Sequence, residues 1–309
     1  MKVFLTGATG AIGRPTVRAL VAAGHEVTAV ARGPEKRAQV EEAGAVGIAV
    51  DLFDAGAVAE AVAGHAAVVH LATNIPPIVR AARVSSWATN DRLRRDGSAH
   101  LVDAALAAGA GRYVQESIVF SYPDSGDRWI DAATTQPSPT PMVESALAAE
   151  AQTRRFTEAG GIGVALRFGM FYGPGLVHTE TLLRLARWGV AFASGAPDRY
   201  ASSIQIDDAA AAVVAALRAP AGIYDVVDDE PLTSTAYADA LAATVGRRRY
   251  VRAPGRLARF GGAQAATLIS SQRVSNRRFR EATGWAPRWP SAAEGLPATT
   301  GAAVSSGAG

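Results

Sequence analysis

Cysteine is missing altogether from the 309 residues. That excludes disulfides, thiolate metal centres and cysteine nucleophiles. Lysine is nearly as scarce, with only Lys2 and Lys36, so chemistry that needs an amine has almost nothing to draw on. The five histidines show no metal-ligand spacing, and no metal site is expected. No apolar run reaches the roughly 18 residues of a membrane span. The N-terminus, MKVFLTG, enters strand and turn directly, without the apolar stretch and cleavage site of a secretory signal. These absences predict a cytoplasmic protein with no membrane partner. Hydrophobic residues make up 49% and charged residues 19%, which fits a globular chain and not a disordered one. The net charge of +3 is carried by arginine. Arg247, Arg248 and Arg249, and again Arg277, Arg278 and Arg280, form clusters that read as solvated surface. No aromatic or recognition-helix pattern accompanies them, so nucleic acid is not an expected partner.

The first half of the chain alternates short apolar runs with helical stretches. KVFLT (2–6), EVTAVA (26–31), VGIAV (46–50), AAVVHLA (66–72) and RYVQES (112–117) are strand-like, and IGVALRF (162–168) makes a sixth. Near-continuous apolar strands separated by helices imply parallel strands covered on both faces. The expected fold is therefore α/β: a Rossmann-type doubly wound parallel sheet over 1–168, with a smaller α/β substrate lobe over 169–298. Residues 202–218 are expected to return to the core, and 299–309 read as a flexible low-complexity tail.

TGATGAIG (6–13) sits between the first strand and the first helix. Gly7 permits the tight turn, Gly10 lets backbone approach a pyrophosphate, and Gly13 lets helix and strand pack closely. Thr9, Ala11 and Ile12 complete the turn, whose helix N-terminus offers free N–H groups to phosphates. Pro15 falls just past the first turn, where a proline costs a helical hydrogen bond. The second strand ends in Ala31 and Arg32, where an NAD enzyme would place an acid. A guanidinium suits a 2′-phosphate, and Arg37 is a second candidate, so NADP is favoured and NAD stays open. Asp51 with Leu52 ends the third strand. Asp51 is placed either to accept from the adenine amino group or to cap the helix that begins near Asp54.

With these features the chain resembles the extended short-chain dehydrogenases/reductases of the NAD-dependent epimerase/dehydratase type, over about residues 1–296. VVHLAT (68–73) resembles the family's fourth-strand motif, placing Leu71, Ala72 and Thr73 beside the cofactor. RDGSAHLVDAA (95–105) resembles its Gly-Thr-x-Asn-Leu helix. LRFGMFYGPG (166–175) resembles its Leu-Arg-Pro segment, with Phe168 where proline is usual. SSIQIDDAAAAVVAAL (202–217) and SNRRFREATGWAPRWPSAAEGL (275–296) match its later signatures. The resemblance implies a small-molecule substrate, with a homodimer as the assembly to consider.

The family's Tyr-x-x-x-Lys pair is absent. Its helix aligns on MVESALAAE, where Met142 stands for the tyrosine and Ala146 for the lysine, and neither lysine follows any tyrosine by four. The fifth-strand hydroxyl position aligns on Ile118, with Ser117 one residue earlier and Glu116 beside it. Ser117, Tyr122, Tyr172 and Glu116 are therefore the candidates for a rewritten catalytic shell. Each tyrosine has an alternative role in a pocket wall, and Glu116 could instead pair with an arginine such as Arg112. His70 and His100 read as packing residues. A tyrosine without its lysine stays neutral at pH 7, able to donate a proton but poor as a base. Three functions remain open: an NADPH-dependent reductase or epimerase-like enzyme with a different proton donor; a non-redox dehydratase, isomerase or cyclase using Glu116, Asp124 or Asp127; and a dinucleotide sensor without catalysis.

Overall fold

Valine, isoleucine and leucine fill the short runs of the first half so densely that the strands can only be buried on both faces. A computed structural model, describing residues 1–76, 83–191, 195–252 and 269–305, shows the result. In chain order the elements are β1 (Lys2–Thr6), α1 (Gly13–Ala22), β2 (Glu26–Val30), α2 (Pro34–Glu42), β3 (Val46–Ile48), α3 (Ala55–Val62), β4 (Ala67–His70), α4 (Ala88–Arg92), α5 (Ser98–Ala107), β5 (Arg112–Ile118), β6 (Trp129–Ile130), α6 (Glu144–Glu158), β7 (Ile162–Phe168) and β8 (Met170–Tyr172). They continue with α7 (Val177–Arg187), β9 (Val190–Ala191), β10 (Tyr200–Ala201), β11 (Ser203–Gln205), α8 (Ile206–Ala216), β12 (Gly222–Val226), β13 (Leu232–Thr233), α9 (Ser234–Thr244), β14 (Val251–Arg252), β15 (Arg273–Val274), α10 (Arg277–Thr283) and α11 (Ala292–Ser305).

Seven strands make one parallel sheet in the order β12-β7-β5-β4-β1-β2-β3. The order reverses at β1, and β4 lies on its other side from β2, so the carboxyl ends of β1 and β4 flank the crevice where doubly wound folds bind ligands. The expected Rossmann architecture is thus observed. One face of the sheet packs Val3, Leu5, Val69, Val114 and Leu166 against α1 and α8. The other packs Phe4, Val68 and Tyr113 toward α3 and α5. Burial of this aliphatic surface is the main force holding the layers together.

The second half returns more to the core than residues 202–218. β12 pairs along its whole length with β7, and Phe279 and Trp285, from α10 and just beyond it, join the sheet's core cluster. The expected boundary at 169 needs that extension: β12 and α10 belong to the core as α8 does. The remaining elements, led by α7, α9 and α11, form a separate cluster around Tyr172, Tyr237 and Leu241. α11 also runs through Ser305, into the segment expected to be a flexible tail, while 306–309 lie outside the described residues.

Pro15 is corrected by the same geometry. It is the third residue of α1, inside the first turn, where N–H groups need no intrahelical acceptor. Its missing N–H therefore costs little.

Candidate active site

The turn between β1 and α1 shows why each glycine is there. Gly7 has φ +75°, and a Cβ on it would lie 2.5 Å from the carbonyl of Leu71. A Cβ on Gly13 would lie 2.0 Å from the Gly7 carbonyl oxygen. Both positions are closed by backbone. Gly10 differs: a Cβ there would meet only the Gly7 oxygen, at 3.2 Å, and otherwise open space in front of α1. Open space before a helix N-terminus is what a pyrophosphate requires, so the turn fits the cofactor. Thr9 and Ala11 stand at the rim, and Ile12, the residue preceding α1, is buried.

The rest of the expected cofactor strip follows the carboxyl edge of the sheet. Ala31 is buried and its N–H donates to Ile48, which leaves Arg32 exposed beyond the end of β2. Arg37 lies elsewhere: its side-chain stem packs over Gly47 on β3. Arg14 is the other arginine at the turn, with its Nε donating to the Thr9 carbonyl at 3.2 Å. Asp51 is exposed and accepts from the Phe53 N–H at 3.0 Å, while the cap of α3 is Asp54, which accepts from Gly56 and Ala57. Asp51 is therefore not the cap. Leu52 and Leu71 are buried, Ala72 and Thr73 are half-buried, and Phe168 is buried against Phe171 with ring centroids 5.3 Å apart.

The proposed catalytic shell does not assemble. The Ser117 hydroxyl donates to Glu150 at 2.7 Å, and Arg167 grips the same carboxylate with two bonds of 2.7 Å, all of it buried. The Tyr122 hydroxyl donates to Asp225 at 2.8 Å in a different cluster, with Val119, Ile130, Val227 and Val274. Burial pushes the Tyr122 phenol well above its usual range, and the Asp225 charge adds to the shift. Tyr172 is fully buried in the lobe, its hydroxyl lying where a Cβ on Gly295 would be; its phenol too is raised by burial. Ser117 and Tyr122 each donate to a buried carboxylate and are joined through Arg167, which binds Glu150 and lies 4.9 Å from the Tyr122 ring centre, while the buried Tyr172 hydroxyl stands apart in the lobe without a hydrogen-bond partner. Glu116 is paired, but not with Arg112. Its carboxylate accepts two bonds from Arg94 Nη2, at 2.8 and 3.1 Å, whereas Arg112 donates to the Ala219 carbonyl. The alternative acids Asp124 and Asp127 lie on the loop before β6, where Asp124 accepts from Gly126 and Ser271.

Met142 stands before α6, whose first residue is Glu144, and Ala146 is fully buried in that helix's first turn. His70 is buried between Thr6 Oγ1, at 2.6 Å, and the Leu93 carbonyl, at 3.3 Å. Its pKa is lowered to about 4, chiefly by burial. It is a neutral structural strut; His100 is likewise held in place, bonding the Leu52 carbonyl at 3.0 Å. Among the described residues no group of side chains could hold a metal ion, and no helix is long and apolar enough to cross a membrane.

Sequence reasoning missed Arg94 and Asn90. DRLRRDG reads as a solvated charged helix, yet Arg94 and Asn90 are both buried. The available signal was Glu116 itself, since a carboxylate in an apolar strand demands a buried counter-charge.

A parallel sheet that reverses at β1, with a glycine turn opening before α1, defines a dinucleotide-binding enzyme of the Rossmann class. The family profile described as NAD(P)H-binding matches residues 7–170. The chain belongs to this NAD(P)H-binding family and is an enzyme. A "3-diazoavenalumate denitrifying reductase" from a Streptomyces species is 34% identical over 307 residues, covering 96% of this chain and 99% of that protein. A "2-alkyl-3-oxoalkanoate reductase" from Stenotrophomonas maltophilia is 29% identical, covering 82% of this chain and 78% of that protein. Among solved structures, a UDP-glucose 4-epimerase from Thermotoga maritima superposes with TM-score 0.80 at 19% identity, over 99% of both chains.

Proposed function

We propose that the protein is an NADPH-dependent reductase whose acceptor takes a hydride without a proton from a tyrosine. The single observation that carries this reading is the state of the expected acid–base positions. Met142 and Ala146 replace the pair, the hydroxyls of Ser117 and Tyr122 are spent on the buried carboxylates Glu150 and Asp225, and the Tyr172 hydroxyl is buried in the lobe. Bound NADPH would supply the hydride. The protein's own part is to hold the phosphates at Gly10, to take the 2′-phosphate at Arg32, and to keep water away with the apolar residues Leu71, Ile118 and Phe168.

Two relatives suggest two acceptors, and the absent Tyr–Lys pair supports one reading over the other. Reduction of a ketone, as in a 3-oxoalkanoate, leaves an alkoxide that must gain a proton. Loss of nitrogen from an arenediazonium on hydride addition does not: the C–N bond breaks, the hydride becomes the new C–H bond, and dinitrogen leaves. A site without Tyr-x-x-x-Lys suits the second reaction. It also lacks the lysine cation that would repel a diazonium. We therefore place the acceptor among diazo-bearing aromatic acids such as 3-diazoavenalumate.

The test is anaerobic incubation of the purified protein with NADPH and 3-diazoavenalumate, following nicotinamide absorbance and gas release. Equimolar NADPH loss and dinitrogen release are expected. NADPH oxidation with a 2-alkyl-3-oxoalkanoate but not with the diazo compound would overturn the acceptor assignment and make the protein a carbonyl reductase. Conversion of either compound without nicotinamide oxidation would overturn the redox reading.

A further inference from the structure

Loss of the Tyr–Lys pair removes more than a proton donor. In the family that this chain resembles, the lysine also holds the nicotinamide ribose, and Ala146 cannot. The reading of the chain as a NAD(P)H enzyme therefore leaves half of its cofactor without the lysine anchor on α6.

The missing contacts have an available source on the neighbouring helix. Asn90 is 0% exposed and Arg94 is 2% exposed, and each keeps a buried donor without a partner: Asn90 Nδ2 and Arg94 Nε. A buried donor left unpaired is costly, and such groups in a folded protein call for an explanation. Both lie at the end of the cofactor strip. Asn90 Oδ1 accepts from the N–H of Asn74, the residue directly after Leu71, Ala72 and Thr73, at 3.0 Å. The helical chain then makes a π turn over Leu93–Gly97, a local irregularity often found at functional sites. The Leu93 carbonyl in that turn rests on His70 at the end of β4, and Arg94 reaches Glu116 near the end of β5. The same stretch is tied to the start of α6 by Arg95 and Glu144, at 3.4 Å, beside Ser145, whose buried hydroxyl also has no partner. Three unpaired polar atoms thus come from the two helices that bracket the vacated Tyr–Lys position.

The charge balance selects the ligand atoms. Glu116 already neutralises the Arg94 guanidinium through Nη2. What remains is an N–H donor without net charge, next to an amide donor. That pair suits uncharged oxygen acceptors, such as ribose hydroxyls and a carboxamide, better than a phosphate.

We infer that Asn90 and Arg94 are positioning residues that hold the nicotinamide riboside half of the cofactor, in place of the absent Tyr–Lys pair. The inference rests on the dinucleotide reading, and the experiment separates the two. Calorimetry compares NADPH with 2′,5′-ADP, which carries the adenosine phosphates but no nicotinamide. The wild type is expected to bind NADPH more tightly. Arg94→Lys keeps a cation for Glu116 and removes the Nε donor, and Asn90→Leu removes the amide at similar volume. Each is expected to weaken NADPH about tenfold, one hydrogen bond's worth in a dry site, and to leave 2′,5′-ADP unchanged. Asn90→Leu also strips the Asn74 N–H of its acceptor, so Arg94→Lys keeps the test decisive if the leucine variant does not fold. Unchanged NADPH affinity in Arg94→Lys, or equal weakening of both ligands, would overturn the inference alone. A wild type that binds 2′,5′-ADP as tightly as NADPH would overturn it too. A wild type that binds neither would bring down the dinucleotide reading and this inference with it.

Discussion

Removing one oxygen atom at Tyr122 separates a structural hydroxyl from a catalytic one. Tyr122→Phe deletes a buried donor to Asp225 that sits at 2.8 Å. The Arg167 guanidinium lies 4.9 Å from the centre of the ring, and the phenylalanine ring keeps that contact. Asp225 Oδ2 still accepts from the Ala132 N–H at 2.7 Å, so only one of the carboxyl's two bonds is lost. A bond to a neutral partner is worth about 1 kcal/mol and one to an ion about 1.5–3 kcal/mol. The Asp225 pKa is raised to about 7, mainly by burial, so near neutral pH the group is divided between its two forms. The variant should therefore lose about 1–2 kcal/mol of stability, a drop of about 1.5–3 °C in thermal midpoint for a chain of this size. Turnover per folded molecule should stay within about threefold of the wild type. A positioned proton donor would cost about 10²–10⁴ in kcat instead. Thermal melts and NADPH oxidation on the same preparation decide the matter. A hundredfold fall in kcat with an unmoved midpoint would refute the structural assignment and return Tyr122 to the chemistry.

The glycine turn makes a two-sided prediction: Gly10→Val should abolish NADPH binding in calorimetry while barely moving the thermal midpoint, whereas Gly13→Ala should destabilise the fold, because its Cβ meets backbone at 2.0 Å. Arg32→Ala should weaken NADPH about tenfold or more and leave NADH nearly unchanged, the loss expected of a guanidinium–phosphate contact; a wild type that prefers NADH would refute the 2′-phosphate role. Asp225 also sets a pH dependence. Its folded pKa of about 7 lies above the ordinary carboxyl value of 3.8, so the folded state binds the extra proton and stability falls as pH rises between about 4 and 7. Thermal midpoints measured across that window should slope less in Asp225→Asn than in the wild type, and parallel curves would show that burial does not perturb this carboxyl. Breaking the Glu150–Arg167 pair with Glu150→Ala should cost about 3–5 kcal/mol in urea unfolding, because an uncompensated guanidinium stays buried.

The sheet is readable in the sequence because its strands are apolar on both sides and its turns carry glycine. Period and punctuation alone bound a strand over residues 162–168, and β7 occupies that span. The cofactor turn is equally plain, since the spacing of Gly7, Gly10 and Gly13 states a steric requirement. What escapes sequence reading is pairing across the fold. Glu116 visibly needed an arginine, and Arg112 looked close because it sits four residues away on the same strand. On a strand that offset separates side chains by more than 10 Å. The real partner, Arg94, comes from 22 residues upstream through a π turn that no spacing rule announces. Tyr122 and Asp225 are 103 residues apart, and their bond exists only once β12 has joined the sheet.

The position of β12 has a consequence for how the chain comes into being. The strand that closes one edge of the nucleotide-binding sheet is made more than fifty residues after its neighbour β7, and the aromatic residues Phe279 and Trp285 that complete the core come later still. During synthesis the first 168 residues therefore emerge with a bare strand edge and an uncovered apolar flank, the combination that invites pairing with other chains. The early half is not a self-sufficient module to be excised or swapped. Its solubility depends on sequence that the ribosome has yet to translate, which makes the last third of the chain a folding requirement for the first half.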